Sequence, residues 1–381
     1  MGIGDQSESA RGLVNARRVV IKIGSSLLVQ ADNGHINRHW LGTLCEDISR
    51  MRDRGQQVVL VSSGAIALGR RMLRMAPGAL RLEESQAAAA AGQVLLAHAY
   101  LETLAPSGLQ VAQVLLTLSD TEQRRRYLNA RNTLKTLLDL GAIPVVNEND
   151  TVATEEIRYG DNDRLAARVA QLVSADCLVL LSDIDGLYSA DPGLDPQARF
   201  IPLVEELTPE VEALAGESQS DVGSGGMVTK LIAARIALGA GCHVAIASGR
   251  QEYPLSSLES GGRCTWFIRH ASPATARKQW IAGSLKPHGS FQLDAGARTA
   301  LLSGNSLLPA GVTAVQGDFE RGDAVQLLGP DARVLGHGLS AYSSAEARGI
   351  MGVRSSRIEQ ILGYRGRDEL VHRDDLVLFG A

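Results

Sequence analysis

At 381 residues, with 45% hydrophobic and 21% charged side chains, the chain has the composition of a folded protein of two or more domains and not of a disordered one. A formal net charge of −4 supplies no general attraction for nucleic acid. The four cysteines (Cys45, Cys177, Cys242, Cys264) form no CxxC pair and the histidines no HExxH, so buried thiols in a reducing, cytoplasmic compartment are expected and not a zinc site or disulfide frame.

Residues 1–16 form a polar tail without the apolar centre of a signal peptide, and no apolar run approaches the ~20 residues of a membrane span. Residues 18–23, RVVIKI, read as a buried parallel strand broken by Lys22 and followed by Gly24-Ser25-Ser26. Trp40, Leu41, Leu44, Cys45, Ile48 and Met51 recur at helical spacing, with Gly55 as the stop. Residues 57–61 are a second strand that turns through Ser62-Ser63-Gly64 into a helical segment. Residues 86–104 are alanine-rich and helical, their small residues suited to close helix packing.

A third strand spans 111–116. Ser119-Asp120-Thr121-Glu122 then predicts a capping box opening a helix that runs to Gly141. The apolar run ending at Val146 meets Asn147, Glu148, Asn149 and Asp150, and a second polar cluster, Gly160-Asp161-Asn162-Asp163, opens the helix bearing Leu165, Val169, Leu172 and Val173. A strand over 177–181 leads to Ser182-Asp183; the glycine-rich loop 223–227, a helix over 228–238 and a strand over 243–247 follow. Strands alternating with helices predict a three-layer αβα sandwich with a mainly parallel sheet over residues 17–274. After a linker at 275–288, strand-like fragments between glycine turns predict a small, mainly β domain over 289–375.

Two clusters of acids and amides flank one loop at the carboxyl end of a strand, where open α/β sheets bind ligands. No P-loop signature and no strand–GxGxxG fingerprint occurs. Gly223-Ser224-Gly225-Gly226-Met227, followed by Thr229-Lys230 at a helix start, suits phosphate: glycines let N–H groups approach its oxygens and the lysine adds a full charge. A plain loop with an exposed lysine is the equally simple alternative. Lys22 in a buried strand is costly unless it faces an anion or reaches water. Two lysines, each beside a glycine turn, suit a transferring phosphoryl group, whose catalysis is mainly positioning and charge neutralisation. Ser62-Ser63-Gly64 suits a carboxylate or serves as a helix cap. Asp161, Asn162 and Asp163 exceed what a cap needs; they could hold a metal, hold a substrate ammonium or orient the lysines.

Lys22-Ile-Gly-Ser-Ser, Ser62-Ser-Gly-Ala-Ile-Ala, Asn147-Glu-Asn-Asp, Gly160-Asp-Asn-Asp, Ser182-Asp and Gly223-Ser-Gly-Gly-Met-Val-Thr-Lys, in this order, resemble the amino acid kinase family, and its glutamate-phosphorylating branch in particular. SSLLPAGV at 306–313, GHGLSAY at 336–342 and ILGY at 361–364 resemble a PUA domain. The resemblance implies that Lys22 and Lys230 neutralise the phosphoryl group in flight and that Asp163 holds both. It implies that Ser63, Asp150 and Asn162, with Asn147, bind glutamate. Lys22, Ser182, Asp183, Ser224, Gly225, Gly226, Met227, Val228, Thr229 and Lys230 would bind ATP. The implied reaction carries the γ-phosphoryl group of ATP to the side-chain carboxylate of L-glutamate, the first step of proline synthesis. Magnesium would arrive on the ATP phosphates, without a protein ligand.

A homo-oligomer (dimer or tetramer) and feedback inhibition by proline also follow from the resemblance alone. Sister specificities for acetylglutamate or aspartate are the nearest rivals, and NEND joined to GDND argues against them. PUA domains also occur in RNA-modifying enzymes, but from Gly289 onward nine arginines and no lysine face eleven acids, which argues against RNA. Ser224 stands where the family often has threonine, Arg158 where it often has lysine, and Ile184-Asp185 departs from the common version. The insert over 151–160 is the expected place for substrate discrimination and feedback.

Overall fold

Continuous aliphatic runs, buried on both faces, build the main sheet. The computed structural model describes residues 12–30, 33–152, 161–215, 226–283 and 286–379, except for the side chains of 161 and 283. The strands are β1 (Arg18–Ile23), β2 (Gln57–Ser62), β3 (Val111–Leu116), β4 (Ile143–Glu148), β5 (Cys177–Ser182), β6 (Leu203–Val204), β7 (His243–Ser248) and β8 (Cys264–Phe267). They pair in the order β3-β4-β2-β1-β5-β7-β8-β6. Every neighbouring pair is parallel except β7 with β8.

Helices cover both faces. One core layer joins α1 (Arg38–Asp53), α2 (Ala65–Met72) and α3 (Leu82–Leu104) to Val19, Ile21 and Ile23 of β1. The opposite layer joins α4 (Arg124–Asp139), α5 (Asp161–Val173) and α6 (Met227–Gly239) to Val20 of the same strand. This is the expected αβα sandwich. Because strand side chains alternate, Lys22 shares the parity of Val20 and belongs to the α5–α6 face.

The segment after β3 differs from the expected single helix. Thr117, not Ser119, is the cap: its hydroxyl accepts from the Asp120 N–H at 3.2 Å, and the Asp120 carboxylate accepts the Thr117 N–H at 2.8 Å. Thr117 still has the extended backbone of the strand it leaves, so the box closes directly at the strand end. A short helix, Leu118–Glu122, then breaks at the extended Gln123 before α4 begins.

The alanine-rich α3 lies hard against α2. A Cβ on Gly92 would sit 1.8 Å from the Ala65 carbonyl oxygen, and one on Gly69 would sit 1.7 Å from that of Ala88. Both distances are far below contact, so backbone touches backbone at both crossings, and only glycine allows it.

The chain divides into two units that meet after Pro273. In the stretch read as a linker, a helix α7 (Pro273–Gly283) forms. The second unit carries β9 (Gly289–Leu293), α8 (Ala295–Leu302), β10 (Val312–Gly317), β11 (Ala324–Leu328), β12 (Val334–Leu339), α9 (Ser344–Ile350), α10 (Ile358–Leu362) and β13 (Leu376–Leu378). Its sheet runs β10-β9-β11-β12-β13, with β9 and β11 parallel and the other pairs antiparallel. Phe291 and Phe319 meet edge to face at 5.6 Å in its core, and Arg277 pairs with buried Asp375 at 2.5 Å.

Two outcomes follow. Gly92→Ala should cost about 2–4 kcal/mol in a urea melt, because backbone and not a flexible side chain must move. At the start of β7, burial and then the Arg269 guanidinium push His243 down to about 4, against Asp176; the Arg269 N–H also donates to its Nδ1 at 3.3 Å. The unfolded chain therefore binds more protons than the folded one between that value and about 6.5. Stability should rise with pH across this window, and His243→Gln should flatten that rise in denaturation midpoints.

Candidate active site

Parallel strands put their carboxyl ends on one edge, and β1, β2, β4 and β5 each end there in a polar turn. Their order makes β1 the place where the chain reverses direction across the sheet, with β2 on one side and β5 on the other. Backbone bonds tie the turns together: Gly24 N–H to Leu181 O at 3.1 Å, Ser63 N–H to Ile23 O at 3.2 Å, and Gly249 N–H to Ser182 O at 2.8 Å. Gly64 takes φ +107°, a left-handed value that lets the chain turn from Ser63 into α2.

On the α5–α6 face, three charges meet. Lys22 of β1 lies 2.7 Å from Asp163 Oδ1, and Lys230 of α6 lies 3.3 Å from Asp163 Oδ2. Thr229 donates its hydroxyl to the same Oδ2 at 3.0 Å. Asp163 has no exposure, and both lysines are buried. Burial opposes ionisation of Asp163, but the two lysines outweigh it and hold the carboxyl below its ordinary range. Burial lowers Lys230, and Lys22 adds to the effect while Asp163 resists it. Two cations on one anion leave a net positive charge in a poorly solvated pocket, which suits phosphate oxygens.

The α2–α3 side holds amides. Asn147 at the end of β4 and Asn162 in the first turn of α5 are joined by Asn162 Nδ2 to Asn147 Oδ1 at 3.2 Å. Asn162 Nδ2 also donates to Ser63 Oγ at 2.9 Å. Asp150, just beyond β4, is buried. Ser63, Asn147 and Asn162 thus form one connected row, with Asp150 three residues past Asn147.

Ser182 is buried at the end of β5, and Asp183 beyond it is nearly half exposed, 3.9 Å from Arg250. Gly226 caps α6, which Met227 and Val228 begin. Ser224, Gly225, Arg158 and most of the 151–160 insert lie outside the described residues. Asp185 accepts the Tyr188 hydroxyl at 3.0 Å and pairs with Arg263 at 3.1 Å; Arg263 in turn stacks over Phe200 at 4.2 Å. Two residues at this edge escaped the sequence reading: buried Tyr100, whose hydroxyl shares a 2.9 Å bond with Ser62, and Gln93, whose Oε1 accepts from Asn147 Nδ2 at 2.7 Å. One of two glutamines in an alanine-rich helix gave little signal. The second unit has an open cavity of its own, about 780 Å³, lined in part by Asp294, Asn305, His372 and Arg373.

Comparison with models of protein families matches residues 17–248 to the amino acid kinase family and residues 289–362 to the PUA domain. Among curated relatives, the chain is 64% identical to a glutamate 5-kinase of Paramagnetospirillum magneticum, over 97% of this chain and 99% of that one. It is 60% identical to a glutamate 5-kinase of Rhodospirillum rubrum, over 94% and 96%. To glutamate 5-kinase 1 of Rhizobium meliloti it is 58% identical, over 98% and 94%.

Asp163→Asn removes the anion and leaves two buried cations facing each other. Thermal or urea denaturation should show a loss of about 3–5 kcal/mol.

Proposed function

The chain belongs to the amino acid kinase family, and we propose that the clamp of Lys22, Lys230 and Asp163 serves the transfer of the γ-phosphoryl group of ATP to the side-chain carboxylate of L-glutamate, giving L-glutamyl 5-phosphate. One observation carries this reading: two buried lysines from different elements share one carboxylate, beside a row of amides, at the carboxyl edge of the sheet.

A carboxylate is already a competent nucleophile, so the reaction needs no general base. The difficulty is to bring two anions together. Lys22 and Lys230 offset the charge of the phosphoryl oxygens as it spreads in the transition state, and Asp163 keeps both ammonium groups aimed at one point. Asp150 takes the substrate ammonium, while Ser63, Asn147 and Asn162 hold the rest of the amino acid. Ser182, Asp183 and the start of α6, with Ser224 and Gly225 before it, hold the nucleotide.

Among the described residues, no group of three or more His, Cys, Asp or Glu could hold a metal ion. Asp163, the carboxylate of the clamp, is already taken up by two lysines and Thr229. In this reading magnesium arrives on the phosphate oxygens of ATP, where it would supply charge neutralisation. Proline shares the substrate's ammonium and α-carboxylate and would compete for the same amide row. Among the described residues, no helix is long and apolar enough to cross a membrane.

A hydroxamate assay should show ATP-dependent turnover of L-glutamate far above that of N-acetyl-L-glutamate or L-aspartate; preference for either of the latter would sink the substrate assignment. Lys230→Ala should lower kcat by about 10²–10³-fold, and undiminished turnover would refute the clamp. Because burial lowers Lys230, the protonated form needed for the clamp is lost as pH rises through a value below that of an ordinary lysine. The alkaline limb of kcat/KM should fall correspondingly early.

A further inference from the structure

The amide row has a direction, and a backbone group fixes it. The N–H of Glu148 lies 2.9 Å from Asn147 Oδ1. A backbone N–H only donates, so the side-chain atom facing it is the carbonyl oxygen. Asn147 Nδ2 therefore points to Gln93, and Gln93 must answer with an acceptor, Oε1 at 2.7 Å. On the other side, Asn162 must bring its Nδ2 to Asn147 Oδ1, at 3.2 Å. Two side-chain amides are thereby committed at opposite ends of one row, and each has a remaining polar atom.

Those remaining atoms are a donor, Gln93 Nε2, and an acceptor, Asn162 Oδ1. Both are buried and neither has a partner among the described residues. Buried amide groups without partners are costly and uncommon, and at a binding site the ligand commonly supplies the missing bond. An α-amino acid brings one acceptor group and one donor group on the same carbon, which is the complement of this row. With Asp150 and Asn162 Oδ1 on the ammonium, the α-carboxylate is left for Gln93.

The fold explains how a residue 54 positions away from Asn147 reaches it. Gly92 presses α3 onto the Ala65 carbonyl, at the start of α2 and two residues after Ser63. The next residue on α3 is Gln93, carried by that contact to the same strand ends.

We propose that Gln93 is a further substrate-binding residue: Oε1 orients Asn147, and Nε2 donates to the α-carboxylate of the bound amino acid. This rests on glutamate being the substrate. The test compares wild type, Gln93→Glu and Gln93→Ala with L-glutamate and with L-isoglutamine, in which the α-carboxylate is an uncharged carboxamide.

Both substitutions should raise KM for L-glutamate by about 10- to 100-fold, the effect of losing one hydrogen bond to a charged group, with KM for ATP changed less than about twofold. Preference for glutamate over isoglutamine, in kcat/KM or in competitive binding, should fall at least about tenfold. The fall should be larger in Gln93→Glu, whose carboxylate accepts from the carboxamide and repels the α-carboxylate. An unchanged preference, or equal losses for the two ligands, would show Gln93 to be only a prop for Asn147 and would overturn the proposal. Should a charge at this position prevent folding, Gln93→Ala carries the same comparison. Failure of the wild type to phosphorylate L-glutamate would strike the substrate reading instead, and the wild-type rate alone reveals it.

Discussion

A single buried carboxylate, Asp163, sets the constraints on the first unit. Two lysines could not share a buried pocket without it, since each would face both desolvation and the other's charge. With it, the pocket keeps a surplus of one positive charge that water cannot screen well. Asp163 needs no part in bond making for this. It must only remain ionised, and the lysines that depend on it also hold its carboxyl low.

Because three elements supply the three charges, the clamp reports on the packing of the whole α5–α6 face. Lys22 comes from the central strand, Asp163 from the first turn of α5 and Lys230 from that of α6. Leu165, Val169 and Leu172 of α5 and Leu231 and Ala234 of α6 fill the same core layer below them. A shift of either helix would move a charge relative to its partners before it opened a cavity. Charge placement and core packing are therefore one problem on this face.

The opposite face is organised by approach and not by charge. Gly69 and Gly92 let two helices meet backbone to backbone, which brings α3 close to the ends of β2 and β4. Tyr100 and Gln93, side chains on that helix, then reach Ser62 and Asn147. The sheet separates the two halves, and Asn162, one residue before Asp163, connects them through Ser63 and Asn147. The lysine–carboxylate cluster on one side and the amide row on the other thus share one helix start.

Much of this was legible in the chain itself. Aliphatic runs bounded by glycine and serine turns marked β1 to β5 and β7, and strand–helix alternation pointed to a mainly parallel sheet with its polar turns on one edge; the short β6 and the antiparallel β8 carried no such signal. Lys22 stood out because a lysine inside RVVIKI violates the burial pattern of its own strand. The acids and amides of NEND and GDND exceeded what capping requires. All of these signals are local, carried by residues near one another in sequence.

What tertiary structure decided was which of these groups meet. Side-chain alternation sends Lys22 to the α5–α6 face, but only the folded chain shows that Asp163 lies between Lys22 and Lys230, from segments more than 60 residues from Asp163 in either direction. Of the possibilities open for the acids of GDND, the fold gave Asp163 the lysines. Gln93 carried no comparable local signal: glutamine is ordinary in a helix, and its importance comes from a backbone contact at Gly92 and an amide 54 residues away. The helix after β3 began two residues early because a cap answers to where the strand ends as well as to its own sequence. Local pattern determines which segments are strands, helices and turns; long-range packing determines which polar groups become partners, because that depends on distances no single segment contains.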